Sequence, residues 1–210
     1  MRTSLSRLPS RRLLLASASG LVLTGCSGLI GPSGASRLYV LRPVLPPAVS
    51  GPTVNWALSI AVPDASAALD TDRIAILRPP ASLDYYADAA WPDHLPTLVQ
   101  SALVQAFEDS GRIKAVARDS DGAHANYILA TELRDFEARY DQSDGVPVAV
   151  VRIGAKLIGA LKREIVAQFD IIEEVPASEN SIDAAVAALD EAQARALTKI
   201  VAWVLAKRPE

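Results

Sequence analysis

Between Tyr127 and Val175 the chain reads as three long strands in succession, and this stretch limits the possible folds more than any other. The segments run from Tyr127 to Tyr140, from Val146 to Leu161 and from Glu164 to Val175. The turn Asp141-Gln142-Ser143-Asp144-Gly145 joins the first two, and a tight turn near Leu161-Lys162 joins the second pair. Connections this short leave no room for a crossover, so the spacing predicts an antiparallel meander.

A sheet of this length must bury one face, and the rest of the chain offers two helices to do it. Leu95, Leu98, Val99, Ala102, Leu103, Ala106 and Phe107 recur at helical spacing between an opening at Pro92 to Pro96 and a stop at Gly111. Asn180-Ser181-Ile182-Asp183 caps a longer final helix. Its apolar stripe runs through Ile182, Val186, Leu189, Ala196, Ile200 and Trp203, and Gln193 interrupts it. Shorter strands are predicted at Arg37 to Leu41, Val54 to Val62, Arg73 to Leu77, Leu83 to Tyr86 and Ile113 to Ala117. The expected class is α+β: a two-layer sandwich of a mostly antiparallel sheet with two main helices.

The N-terminus has a different organisation. Arg2, Arg7, Arg11 and Arg12 precede an apolar run, Leu13 to Leu23, with no acidic residue before Cys26. A basic segment, a short apolar segment and small residues make a secretory signal layout. The run falls short of the ~20 apolar residues that span a bilayer. Leu23-Thr24-Gly25-Cys26 resembles the bacterial lipobox, in which the cysteine thiol receives a diacylglycerol and the signal is cut before it. Residues 1–25 then form a lipoprotein signal peptide. The Gly/Ser/Pro-rich stretch 26–36 is a lipidated flexible tether, and a single domain follows over residues 37–208. Ser10-Arg11-Arg12 leaves Sec and twin-arginine export both open. Ser27 after the cysteine favours the outer membrane, by the same resemblance.

Removal of residues 1–25 takes four arginines with it. Seventeen basic and twenty-four acidic residues remain, a net charge of −7. That balance argues against a nucleic-acid partner and against a broad basic membrane-binding surface. Cys26 is the chain's one cysteine, so neither an internal disulfide nor a CxxC metal site is available. No phosphate-cradling or dinucleotide-binding loop occurs, and Gly31-Pro32-Ser33-Gly34 is one glycine short of a nucleophile elbow. His94 at a helix start and His124 in a polar turn have no local partner motif. Asp70 and Asp72 flank Thr71 as a solvated turn rather than a cation pair, and Asp84 and Asp88 carry no sugar-site signature. No catalytic residue, metal or cofactor is expected.

Tyr85, Tyr86 and Trp91 concentrate aromatic rings in seven residues, shortly after Arg73 and Arg78. Aromatic residues with arginine dominate binding interfaces. The expectation is that Arg73, Arg78, Tyr85, Tyr86 and Trp91 contact a partner protein or a neighbouring copy of the domain. The competing reading packs the rings against the helix as core.

The middle of the chain, from Asp72-Arg73-Ile74 through Arg78, Leu83, Tyr85-Tyr86 and Trp91-Pro92 to Glu108, Ser110 and Gly111, resembles the ABC-type transport auxiliary lipoprotein family. Leu38-Tyr39-Val40-Leu41, Ala125-Asn126-Tyr127-Ile128-Leu129 and the final helix with Trp203 extend the likeness to nearly the whole mature chain. Ala75-Ile76-Leu77 lacks a tyrosine that many members carry, and Asp88-Ala89-Ala90 lacks their arginine. The resemblance implies a non-catalytic accessory subunit, lipid-anchored to the periplasmic face of the outer membrane. Its partners would be an MCE-domain protein with an ABC permease and ATPase that move lipids or other hydrophobic molecules between the inner and outer membranes. Two other readings are a free-standing lipid-binding carrier, which needs a deep apolar cavity, and a periplasmic hydrolase, which needs a polar cleft with a perturbed titrating group.

Overall fold

The computed structural model describes residues 36–43, 51–141 and 145–207, and the described residues from Ser36 onward form one compact unit. The signal segment 1–25, its motif Leu23 to Cys26 and the tether up to residue 35 lie outside the described residues. The elements in chain order are β1 (Arg37–Leu38), β2 (Val54–Ile60), β3 (Asp64–Ala65), β4 (Arg73–Arg78), β5 (Ser82–Ala90), α1 (Leu95–Asp109), β6 (Ile113–Arg118), β7 (Tyr127–Arg139), β8 (Val148–Gly159), β9 (Ile165–Pro176) and α2 (Ile182–Ala206). The architecture is α+β, with one mixed sheet and two helices.

The meander forms within one or two residues of its expected limits. β7 pairs antiparallel with β8 from Tyr127↔Gly159 to Arg139↔Val148, and β8 pairs antiparallel with β9 from Val148↔Pro176 to Ile158↔Ile165. The opposite edge of β7 is shared by three short strands, all parallel to it. Leu58 to Ile60 of β2 lie beside Tyr127 to Leu129, β3 beside Glu132 and Leu133, and Ala75 to Leu77 of β4 beside Glu137 to Arg139. β6 adds parallel to β2, β5 antiparallel to β4, and β1 parallel to β5. The two longest pairings are both antiparallel. Four of the parallel pairings join β2, β3 or β4 to β6 or β7 across α1, because a crossover returns the chain in the same direction; β1 and β5 are parallel with no helix between them.

A β-bulge in β7 determines which side chains meet the helices. Leu133 faces Ile153, but the next pair is Asp135↔Arg152, so Arg134 is an extra residue. On the helix side the buried residues are Leu129, Thr131 and Leu133 before the bulge and Phe136, Ala138 and Tyr140 after it. The period-2 alternation therefore shifts by one without turning the sheet over. The displaced Arg134 lies across Gly154, where an added Cβ would stand 2.9 Å from its Nη2. Its guanidinium reaches Glu132 at 2.9 Å and Asp170 at 3.0 Å, and Arg152 joins Asp170 at 2.8 Å. Thus the meander's open face carries a file of ion pairs across β7, β8 and β9.

Both helices pack on the other face. Gly111 ends α1 at φ +61, a conformation that costs glycine nothing, and the Ser181 hydroxyl caps α2 by accepting the Ala184 N–H at 3.2 Å. Leu58, Ile60, Leu103, Phe107, Leu129, Leu157, Leu189, Leu197 and Ile200 are wholly buried between the layers. Gln193 lies among them at 0% exposure, and neither atom of its amide has a hydrogen-bond partner among the described residues. An unpaired buried amide forfeits its hydration without return. Gln193→Leu is expected to raise stability by about 1–3 kcal/mol. Chemical denaturation measures it, and a loss of stability would mean that Gln193 holds an ordered water.

Candidate functional site

The segment from β4 to the start of α1 carries the arginine and aromatic residues picked out in the sequence. β4 and β5 form a hairpin whose tip holds a cis Pro79–Pro80 bond. Arg73 lies opposite Ala90, and Ala75 lies opposite Tyr85. Over that interval β4 advances two residues and β5 five, so β5 bulges, and Asp88 takes a left-handed φ of 53° within the bulge.

The rings divide between surface and core. Tyr85 is half-buried; its hydroxyl donates to the Ala68 carbonyl at 3.2 Å, and the Arg73 guanidinium stands 3.8 Å above its ring centre. The half-buried Tyr86 packs against a small cluster of Ile76, Ala138, Tyr140 and Ala185. Tyr140 donates to the Asn180 side chain at 3.1 Å and accepts from the Tyr86 hydroxyl at 2.9 Å, so three residues are linked in series. Burial, followed by the bond to Tyr140, raises the Tyr86 phenol above its usual range. Arg78 covers the Tyr140 ring at 4.4 Å.

Trp91 is a core residue. It is 2% exposed and meets Phe136 edge to face, with ring centres 6.3 Å apart. Its N–H donates to the Asp72 carbonyl, and the Leu95 N–H donates to Thr71, which ties the start of α1 to the loop before β4. This corrects the surface role expected for Trp91: its ring is enclosed and no partner can reach it. Arg73 and the outer edge of Tyr85 remain accessible, with Leu83 beside them.

Two titrating groups outside the aromatic segment stand out. His94 Nδ1 lies 2.9 Å from Asp70 Oδ1 on the surface, and that hydrogen bond is the main cause holding its pKa above the usual histidine range. Glu137, which sequence reasoning did not select, is buried on the sheet face away from the helices, next to Ala75 and Val150 in the strand register. Burial pushes its carboxyl up to about 7, with Asp135 adding to the rise. The Phe136 N–H, 2.7 Å from Oε2, and Arg139 oppose it. The alternation of β7 marks position 137 as outward-facing, and no local sequence signal shows that neighbouring strands would enclose it.

Glu137 lines neither of two surface clefts. One, of about 780 Å³, opens on the meander between Asp64, Glu132, Arg134, Lys156, Gln168 and Asp170. The other, of about 430 Å³, lies by Asn126, Tyr127, Glu164 and Val166 at the end of the β8–β9 hairpin. Between sheet and helices lies one contiguous cluster of buried apolar side chains.

A family model described as the ABC-type transport auxiliary lipoprotein component matches residues 39–201. The chain belongs to this family. The auxiliary component resembles protein XCC0632 from Xanthomonas campestris, whose crystal structure is 32% identical with a TM-score of 0.74, covering 80% of this chain and 95% of that one. A second solved structure, of an uncharacterized protein, is 13% identical with a TM-score of 0.62 and covers 79% and 97% of the two chains; it bears on the fold alone. An uncharacterized protein of Bradyrhizobium diazoefficiens, bll6063, is 30% identical over 191 residues, which is 88% of this chain. The chain spans about half the length of that relative, 49%.

Two outcomes follow for the auxiliary component. Trp91→Ala should cost about 3–5 kcal/mol of folding stability while the folded fraction binds partners as before; paired melting and pull-down measurements separate the two effects. Glu137 binds its proton more tightly in the folded chain, up to about 7 against 4.5. Its contribution to stability is therefore present below the unfolded pKa and is lost as pH rises through the folded one. Glu137→Gln should remove that dependence, so the variant's advantage over wild type grows between pH 5 and pH 8 in denaturant titrations.

Proposed function

We propose that the chain is a lipid-anchored accessory subunit of an MCE-type ABC transporter and catalyses no reaction itself. It supports the movement of lipids or other hydrophobic molecules between the inner and outer membranes. Its acylated Cys26 holds it to the periplasmic face of the outer membrane, where it meets an MCE-domain protein and, through it, the permease and ATPase. The family describes a transport auxiliary lipoprotein, and the sequence around Cys26 has the layout such an anchor needs. Acyl burial gains about 0.8 kcal/mol per CH₂, so two or three chains would hold the protein firmly.

The observation that carries the accessory reading over a free-standing carrier is the buried core. A carrier encloses its cargo, yet Leu58, Leu103, Phe107, Leu129 and Leu189 are wholly buried between sheet and helices, and none of them lines either cleft. The larger cleft is lined largely by polar and charged side chains, and the smaller mixes Asn126, Lys162 and Glu164 with alanine, leucine and valine; neither is the deep apolar cavity that an acyl chain needs. The rim of Arg73, Tyr85 and Leu83 is the accessible remainder of the aromatic segment and serves as a partner contact in this reading.

Purification of the tagged, detergent-extracted protein tests it. The MCE-domain protein should co-purify, and lipid extraction should yield the covalent acyl chains but no stoichiometric free lipid. Stoichiometric free lipid without the MCE protein would favour the carrier. Cys26→Ser should abolish acylation and leave an uncleaved precursor or a soluble product, read by mass spectrometry of the N-terminus; an unmodified Cys26 in the wild type would remove the anchor from this account.

A further inference from the structure

The turn between β8 and β9 breaks two local preferences within three residues. It is well closed: the Gly159 N–H donates to the Glu164 carbonyl at 2.9 Å, the Arg163 N–H to the Gly159 carbonyl at 2.8 Å, and the Ala160 N–H to the Asn126 carbonyl at 2.9 Å. On that frame Leu161 projects 95% exposed, although a polar residue would cost nothing there. Lys162 and Arg163 are exposed beside it, and neither side chain has a partner among the described residues. Arg163 also takes a left-handed φ of 59°, a position that favours glycine or asparagine. Behind the apex, Ile165 and Val166 are exposed in turn at 57% and 39%. Such departures with no return inside the fold are expected where a surface serves something outside it.

We infer that this hairpin tip is a contact for an anionic phospholipid surface, with Leu161 entering the boundary of the acyl region and Lys162 and Arg163 lying among the phosphates. The sequence of groups along the tip matches the sequence of layers in a bilayer. The aliphatic side chain is outermost, two unpaired cations follow it, and their flexible stems let the charges stay at headgroup depth. Cationic residues next to an apolar group gain from anionic lipids, and the gain falls with salt. Glu164 is the one acid in the turn, so the tip is locally cationic on a chain that is acidic after residue 25. A tip of this size supplies a weak contact. It would act as a second point of attachment for a protein already held at the membrane. The inference goes beyond the transport reading and does not depend on it.

The test uses the chain from residue 27 onward, which lacks the cysteine and therefore any acyl anchor. Co-sedimentation with vesicles of equal phosphatidylcholine and phosphatidylglycerol is compared with pure phosphatidylcholine. Wild type should partition at least ten-fold more strongly into the anionic vesicles, and 0.5 M salt should remove most of the difference. Leu161→Asp and the pair Lys162→Glu with Arg163→Glu should each reduce binding about ten-fold with an unchanged melting temperature, because all three residues are exposed. In a second measurement, a polarity-sensitive dye on Lys162→Cys, then the sole thiol, should shift to shorter wavelength on anionic vesicles. Absence of vesicle binding by wild type, equal binding by the variants, or a dye that stays in water on bound vesicles would overturn the inference. So would binding of the tip to an acidic protein with none to lipid.

Discussion

Every other strand except β9, β6, β5 and β1 hydrogen-bonds directly to β7; β9, β6 and β5 are one strand removed and β1 is two. One edge of β7 is taken along its length by β8. The other edge is shared end to end by β2, β3 and β4, so the chain between Val54 and Arg78 must pass along β7 in a single direction. Such an arrangement would fail if the apolar residues of β7 kept a strict alternation, because the strand is too long for one flat register against two helices. The extra residue at Arg134 resolves the conflict. It lets Leu129 and Leu133 pack in the large core and Phe136, Ala138 and Tyr140 continue on the same face. The displaced guanidinium is then used on the opposite face, where Gly154 leaves room for it between Glu132 and Asp170.

Local patterns made most of the elements legible. The meander could be read because its turns are short and its strands long, and α2 because Ser181 and Asp183 mark its start. The parallel edge was not legible. β3 has two residues, too few for any period, and the pairing of β2 and β4 with β7 brings together segments far apart in sequence. The strand–helix–strand order around α1 is the local sign that β6 runs parallel to a neighbour, but it does not show which strand that neighbour is. Gln193 was visible as an interruption of an apolar stripe, but its lack of a partner depends on which side chains the sheet sets opposite it.

The aromatic segment shows a similar limit. Composition identified Tyr85, Tyr86 and Trp91 as unusual, but residues of this type serve interfaces and cores alike. The β5 bulge makes the difference here. By adding residues between Tyr86 and Ala90 it lets Trp91 turn inward onto Phe136 while Arg73 stays outside over Tyr85. Tyr86, Tyr140 and Asn180 then connect β5, the end of β7 and the residue before the α2 cap in one series. Part of the segment's ring surface is therefore used to hold the hairpin and α2 together.

The same end of α2 receives the N-terminal segment. Arg37 and Tyr39 both reach the Asp183 carboxylate, at 3.0 and 2.6 Å, and the Arg42 N–H donates to Asp190 at 2.7 Å, two helical turns further on. The Tyr39 hydrogen bond, aided by Arg37, lowers the Asp183 pKa, which keeps the carboxylate charged at the helix N-terminus where the dipole also favours it. Asp190 is different: burial raises its pKa, and the Arg42 N–H offsets that rise in part. β1 adds a backbone pairing to β5, so residues 37–42 are held by the sheet on one side and the helix on the other. A ten-residue connection to Cys26 spans at most about 35 Å. With acyl chains at Cys26, a pull on the membrane anchor would pass through Tyr39 and Arg37 into α2, the longest element and the one packed across β7, β8 and β9. The load would be spread over the whole core instead of peeling away a two-residue edge strand.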